Sequence, residues 1–335
     1  MARADVLVVS LGTTAGWRTS EPALIAALER AGARTALATP APPRRVRTFA
    51  LTDYVQARAC RVAARAAIAR HDPRAIVYCS STAALLGPRP GAIWFDSPAA
   101  ENRPGRHGIW QRAVERRRMA SAPLLLPMSE GALAALEPQP VTPALMLPVP
   151  VEPSGPAVRT RDIAALAYAA DPVKKGLARI LAAWERARRP GETLLVAGRS
   201  GPLAEGAEGT GLLDPAAYRA LLRRTRAFLA APLREDYGIA QLEALADGCR
   251  LVTTPAPGPY PALALARALD ARLVADDLAG AIRVALDAPP DDYAARAAAL
   301  LAPYRQAAFE ATVREGVLPA LFGLSADAAA SAPKP

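Results

Sequence analysis

Seven residues separate two carboxylates, Glu235 and Glu243, in the stretch Arg234-Glu235-Asp236-Tyr237-Gly238-Ile239-Ala240-Gln241-Leu242-Glu243-Ala244-Leu245-Ala246-Asp247-Gly248. An apolar run, 227–231, leads into it and Gly248 closes it, so the stretch reads as strand, short loop and helix. Glu235 then falls in the loop. Glu243 falls more than a turn into the helix, on the face that carries Ile239. Carboxylates accept paired hydrogen bonds from neighbouring hydroxyls, so the two could hold two parts of one polyhydroxylated ligand. The first N–H groups of the same helix, near Gly238 and Ile239, would offer an anion site between them. Two hydroxyl-bearing groups joined by an anion describe a nucleotide-diphospho-sugar. The plain alternative is a surface helix with two solvated acids.

Other residues suit the same ligand. The chain has three lysines, two of them adjacent, Lys174 and Lys175, ahead of Gly176. A positive charge at the start of a helix is locally unfavourable and calls for an anion, and a compact ammonium suits a diphosphate. Arg199, in Val196-Ala197-Gly198-Arg199-Ser200-Gly201, stands at a neighbouring strand end and either reaches the donor or faces solvent. Gly12-Thr13-Thr14-Ala15-Gly16 follows the first strand, where Gly12 or Gly16 would let the backbone approach a phosphate. It is not a GxGxxG loop, and no acid stands at the distance that would argue for NAD. Asp96, in Ile93-Trp94-Phe95-Asp96-Ser97-Pro98, closes another strand. It would either stabilise a cationic sugar centre, hold an acceptor hydroxyl, or cap the next turn.

The pattern Glu-x-aromatic-Gly-x4-Glu-Ala-x-Ala-x-Gly over Glu235–Gly248 resembles the signature of retaining GT-B glycosyltransferases of the group 1, or family 4, type. The resemblance implies two Rossmann-like lobes with parallel sheets and an inter-lobe cleft. It implies a retaining, metal-independent hexosyltransferase whose nucleotide-sugar is a co-substrate, with no cofactor. Glu235 would hold the transferred sugar, Glu243 the ribose, Lys175 the diphosphate, and Gly12 or Gly16 would close over it from the other lobe. The chain departs from the family twice. Tyr168-Ala169-Ala170 stands where a Gly-Arg step is usual, and Asp96 stands where a histidine is usual. Both departures keep open a second reading, a non-catalytic GT-B binding or scaffold protein.

These residues need a frame. Strand-like and helix-like runs alternate along all 335 residues, which argues for α/β layers with parallel sheets. Strands are expected at 5–11, 34–38, 75–79, 91–95, 123–127 and 143–147, then at 163–168, 193–197, 226–231, 250–254 and 271–275. The first helix is expected to start after Ser20, with Pro22 in its first turn. Asp214 followed by Pro215 opens another. The proline-dense segment 137–156 reads as a semi-rigid connection. The expected division is an acceptor-side lobe 1–150, a nucleotide-sugar lobe 157–304, a helix 305–322 returning to the first lobe, and a disordered tail 323–335.

Composition limits the remaining classes. The net charge is +10, carried by arginine, which favours anionic partners. Arginines 112, 116, 117 and 118, and arginines 58, 61, 65 and 70, form two basic helical faces that are either solvated or dock on an anionic membrane surface. No nucleic-acid motif accompanies them. Cys60, Cys79 and Cys249 lie in apolar surroundings and read as buried thiols in a reducing compartment. No apolar run is long enough to span a bilayer. The expectation is a cytoplasmic protein, with peripheral contact on the inner face of the cell membrane left open. Its partners would be a nucleotide-sugar donor and a saccharide, lipid-linked or small-molecule acceptor, and no nucleic acid.

Overall fold

A computed structural model describes residues 3–12, 15–42, 46, 48–156, 158, 160–288, 290 and 292–323. The tail after Gly323 lies outside them. The chain divides into two units, one formed by residues up to Pro150 together with those from Gln306 onward, the other by Val151–Arg305.

The first unit is a five-stranded parallel sheet of order β2-β1-β3-β4-β5, with β1 Val6–Val9, β2 Thr35–Ala38, β3 Ala75–Cys79, β4 Ala92–Phe95 and β5 Leu125–Pro127. β1, β3 and β4 are buried at every residue, as a sheet covered on both faces requires. Helices α1 Ala15–Arg30, α2 Phe49–His71, α3 Ser81–Ala84, α4 Ala99–Asn102 and α5 Ile109–Ser121 make the crossovers, and α6 Glu130–Ala134 follows β5. The first helix begins earlier than Ser20, and Pro22 lies inside it. Tertiary packing overrides the proline: Trp17, in the extra turn, stacks edge-on against Trp94 with ring centroids 5.3 Å apart. The segment near 143–147 forms one bridge, Leu125 to Ala144, rather than a strand. Pro143 and Pro148 bracket it and donate nothing to a ladder.

The second unit is a six-stranded sheet of order β11-β10-β6-β7-β9-β8. Its strands are β6 Ile163–Tyr168, β7 Leu194–Ala197, β8 Ser200–Ala204, β9 Ala207–Gly211, β10 Thr225–Ala230 and β11 Arg250–Thr253. All pairs are parallel except β8 with β9, a hairpin at the sheet edge. Around the sheet run α7 Leu177–Ala187, α8 Pro215–Arg224, α9 Ile239–Ala246, α10 Pro261–Leu269, α11 Leu278–Asp287 and α12 Tyr293–Leu300. Asp214 caps α8 as its sequence predicts, accepting from the Ala217 N–H at 2.8 Å. The expected strand at 271–275 is instead a 3-10 turn, Ala271–Leu273, with Val274 alone bridging Thr253.

The chain then rejoins the first unit through α13 Gln306–Thr312, which continues into a π turn, Val313–Val317. Phe309, Val313 and Val317 are buried there, and the Phe309 ring centroid lies 6.0 Å from that of Trp94.

Candidate functional site

In the second unit, the carboxyl ends of β6 and β10 and the start of α9 bring charged groups together. After β6 the Asp171 carboxylate accepts from the Lys174 N–H at 3.0 Å and winds residues 171–176 into a tight turn. Gly176 ends that turn with φ +64°, and a Cβ there would overlap the Ala231 carbonyl oxygen. Only glycine lets this turn press against the end of β10. The Leu233 N–H donates to the Lys174 carbonyl at 3.1 Å and fastens the two loops.

That docking delivers Lys175 to Glu235. Lys175 Nζ lies 2.6 Å from Glu235 Oε2, and the same oxygen accepts from Gln241 Nε2 at 3.2 Å. Both charged side chains are largely withdrawn from solvent, 20% and 8% exposed. The Glu235 N–H donates to the Pro257 carbonyl at 3.1 Å, so the 254–260 loop braces the acid from behind. Gly238, with φ +81°, caps α9 in the left-handed conformation. Ile239 opens the helix, in the turn whose N–H groups have no carbonyl four residues back.

Glu243 lies one turn along α9. It forms an ion pair with Arg219 of α8, Nη1 to Oε1 at 3.5 Å. Burial pushes its carboxyl up, and the Arg219 guanidinium opposes that shift. Arg219 also donates from Nε to Asp247 Oδ2 at 2.6 Å and from Nη2 to the Glu152 carbonyl at 2.6 Å. Tyr168 and Tyr218 stand beside it edge to face, centroids 5.9 Å apart.

Lys175, Glu235, Gly238 and Ile239 therefore share one site, with Glu243 further along the same helix. Arg199 does not join them through any hydrogen bond or ion pair among the described residues; it is exposed between β7 and β8. Arg219 and Gln241 are the participants the sequence did not announce. Arg219 lies on α8, outside the signature, and Gln241 at one of its variable positions, and neither residue type nor spacing marked them.

In the first unit, Asp96 is half-buried at the carboxyl end of β4, with further interactions of its own. Gly12 follows β1 with φ +71°. Its loop already holds a carboxylate: Glu21 Oε2 accepts from Ser10 Oγ at 2.6 Å and Oε1 from the Leu11 N–H at 3.1 Å. The Gly12 N–H also acts on Glu21. Burial raises the Glu21 carboxyl, and these donors hold it down. Gly16 is the second residue of α1; Thr13 and Thr14 lie outside the described residues. No cluster of His, Cys, Asp and Glu able to hold a metal ion occurs among the described residues.

No protein-family model and no curated protein matches the chain. Solved structures do. WaaG, a glycosyltransferase involved in lipopolysaccharide biosynthesis, superimposes with a TM-score of 0.69 at 14% identity, covering 95% of this chain and 99% of that one. Sucrose-phosphate synthase from Thermosynechococcus elongatus gives 0.66 at 16% identity over 93% and 97%. HepE from Anabaena, solved with UDP and glucose, gives 0.67 at 11% over 93% and 98%. The chain has the GT-B fold.

Within that GT-B frame the departures noted in the sequence take physical form. Ala169 is buried after β6, and Ala170 packs against Gly198, where a Cβ would press on the Ala170 backbone. The two residues that follow β6 carry no guanidinium. The cation there is Lys175, and a carboxylate holds it.

Proposed function

We propose that this GT-B protein is a glycosyltransferase that moves a hexose, with retention, from a nucleotide-diphospho-sugar to a saccharide, lipid-linked or small-molecule acceptor. The observation that carries the reading is the Lys175, Glu235 and Gln241 cluster at the head of α9, with Glu243 one turn further on. Lys175 and the first N–H groups of α9 take the diphosphate and offset its charge as it departs. Glu235 orients the hexose through its hydroxyls, and Glu243 accepts from the ribose diol. The bond from the anomeric carbon to the diphosphate oxygen breaks, and a bond to the acceptor oxygen forms. The acceptor's hydroxyl proton passes to the leaving diphosphate. Asp96 is the acceptor-side carboxylate in this reading, while Gly12, Gly16 and Arg199 give secondary donor contacts. Among the structural neighbours, HepE was solved with UDP and glucose and a trehalose-6-phosphate protein with UDP-2-fluoro glucose, which favours a nucleotide-sugar donor here.

The test is a panel of UDP- and GDP-hexoses, read first as thermal stabilisation and then as donor hydrolysis. Stabilisation with slow hydrolysis supports the enzyme. No stabilisation by any nucleotide overturns it.

Two observations favour a second reading, a GT-B protein that binds without catalysing. Ala170 leaves the diphosphate without its usual guanidinium, and Glu235 neutralises the remaining cation. Nucleotide binding without donor hydrolysis or transfer would select it.

We further propose a cytoplasmic protein whose first unit rests on anionic lipid. The only acids of α2 and α5 are Asp53 and Glu115, and both are buried. Arg58, Arg65, Arg70, Arg116 and Arg117 are exposed on the same helices, interleaved with exposed Leu51, Tyr54, Val62 and Ile109. Sedimentation with phosphatidylglycerol vesicles but not with phosphatidylcholine vesicles, lost in R116E/R117E, is expected. No helix of the described residues is long and apolar enough to cross a membrane.

A further inference from the structure

Arg219 is tied at three points. Its Nε donates to Asp247 Oδ2 at 2.6 Å, its Nη2 donates to the Glu152 carbonyl at 2.6 Å, and its Nη1 faces Glu243 Oε1 at 3.5 Å. Asp247, whose side chain has no exposure, is held in turn by the Ser154 N–H at 2.7 Å and by Ser154 Oγ at 3.0 Å. The guanidinium is therefore fixed before any ligand arrives. Its two acids stand four residues apart, Glu243 within α9 and Asp247 at its C-cap, and the shorter of its two contacts with them goes to the buried Asp247.

We infer that Arg219 is a positioning residue for nucleoside recognition: it engages one oxygen of the Glu243 carboxylate and leaves the other to the ribose diol of a nucleoside diphosphate. This rests on the glycosyltransferase reading. The groups around Glu243 support it. On α8, Arg219 and Tyr218 face it; at the C-cap of α9, Asp247 does. The ionisable residues of the other elements packed on α9 are Arg226 of β10, Arg250 of β11, and Tyr293 and Arg296 of α12; none bonds Glu243 among the described residues. Arg219 is thus the cation that opposes burial and the repulsion of Asp247, both of which push the Glu243 carboxyl up. A carboxyl that gains a proton no longer accepts two hydroxyl hydrogen bonds. The neighbouring Tyr218 hydroxyl is buried and has no hydrogen-bond partner among the described residues, and as a phenol it supplies no positive charge.

The experiment compares R219M and R219K with the parent by calorimetry. The probes are UDP and GDP, each beside its 2′,3′-dideoxy counterpart, from about pH 6 to about pH 8.5. R219M is expected to bind the ribonucleotide more weakly at the acid end, because without the guanidinium burial and Asp247 push the Glu243 carboxyl further up. The loss shrinks as pH rises and Glu243 ionises. Dideoxy affinity stays level with the parent, and R219K, which keeps the charge, restores the pH profile. If R219M does not fold because Asp247 is left without a cation, R219M/D247N is read against D247N in the same way. Equal losses for ribo and dideoxy probes, or a pH profile parallel to the parent, overturn the inference. E243A separates the two levels. If it binds UDP and GDP as the parent does, or if the parent binds neither, the glycosyltransferase reading fails and the inference with it. If E243A loses ribonucleotide affinity and R219M does not, only the role of Arg219 fails.

Discussion

Lys175 and Glu235, sixty positions apart in the chain, meet through a 2.6 Å contact between Nζ and Oε2. Removing one partner of a buried pair leaves an uncompensated charge. K175M is therefore expected to lose about 3 kcal/mol of stability. K175M/E235Q, which removes both charges, is expected to recover most of it. Urea unfolding midpoints decide the matter; an unchanged midpoint for K175M would mean that the pair is effectively solvated.

Because Glu235 holds Lys175, the two acids of the signature should fail differently. E235A frees the ammonium for the diphosphate, so nucleotide affinity is expected to hold or rise while the rate of transfer falls. E243A loses a charged acceptor and is expected to weaken UDP or GDP binding by roughly tenfold to a hundredfold. Calorimetry and single-turnover rates on both variants read the split. Parallel losses would count against separate sugar and ribose roles.

Gly176 and Gly191 both have positive φ, +64° and +83°, but differ in surroundings. Nothing lies within 4 Å of a Cβ at Gly191, whereas one at Gly176 would overlap Ala231. G191A is expected to pay the backbone cost alone, about 1 kcal/mol. G176A should cost more and also displace Lys175, seen as weaker nucleotide binding. Equal denaturation midpoints would refute the claim that the turn is pressed against β10.

Glu115 gives a pH prediction. Burial lifts its carboxyl to about 7 against an ordinary 4.5, although the Ala99 N–H donates to it at 2.7 Å. A carboxyl raised in the folded state keeps its proton while the unfolded chain ionises. Stability is therefore lost as pH rises from the ordinary value through about 7. E115Q is expected to match the parent in mild acid and to exceed it above neutrality by about 2 to 3 kcal/mol. Melting temperatures across that range test it; a constant difference at every pH would rule out titration of Glu115.

What the sequence disclosed was what local order controls. The buried strands read as continuous apolar runs, Asp214-Pro215 opened its helix, and residues 227–248 folded as strand, loop and helix. The β8–β9 hairpin escaped because Ser200-Gly201-Pro202 carries little strand preference, and pairing with the sheet edge supplies the order. The charge partners escaped for a related reason. Arg219 stands 24 positions before Glu243 and looked like any other arginine of an arginine-rich chain. Only the packing of α8 on α9 distinguishes it. No motif marks Glu21 either, yet it is 6% exposed and its carboxylate takes up the donors of the Gly12 loop.

The return of α13 to the first unit sets an order of events during synthesis. Phe309, Val313 and Val317 complete a core whose other wall, Trp94, leaves the ribosome some two hundred residues earlier. Until translation passes the second unit, a nascent first unit carries an uncovered aromatic face. The core of the first unit therefore closes only after the second unit has been made.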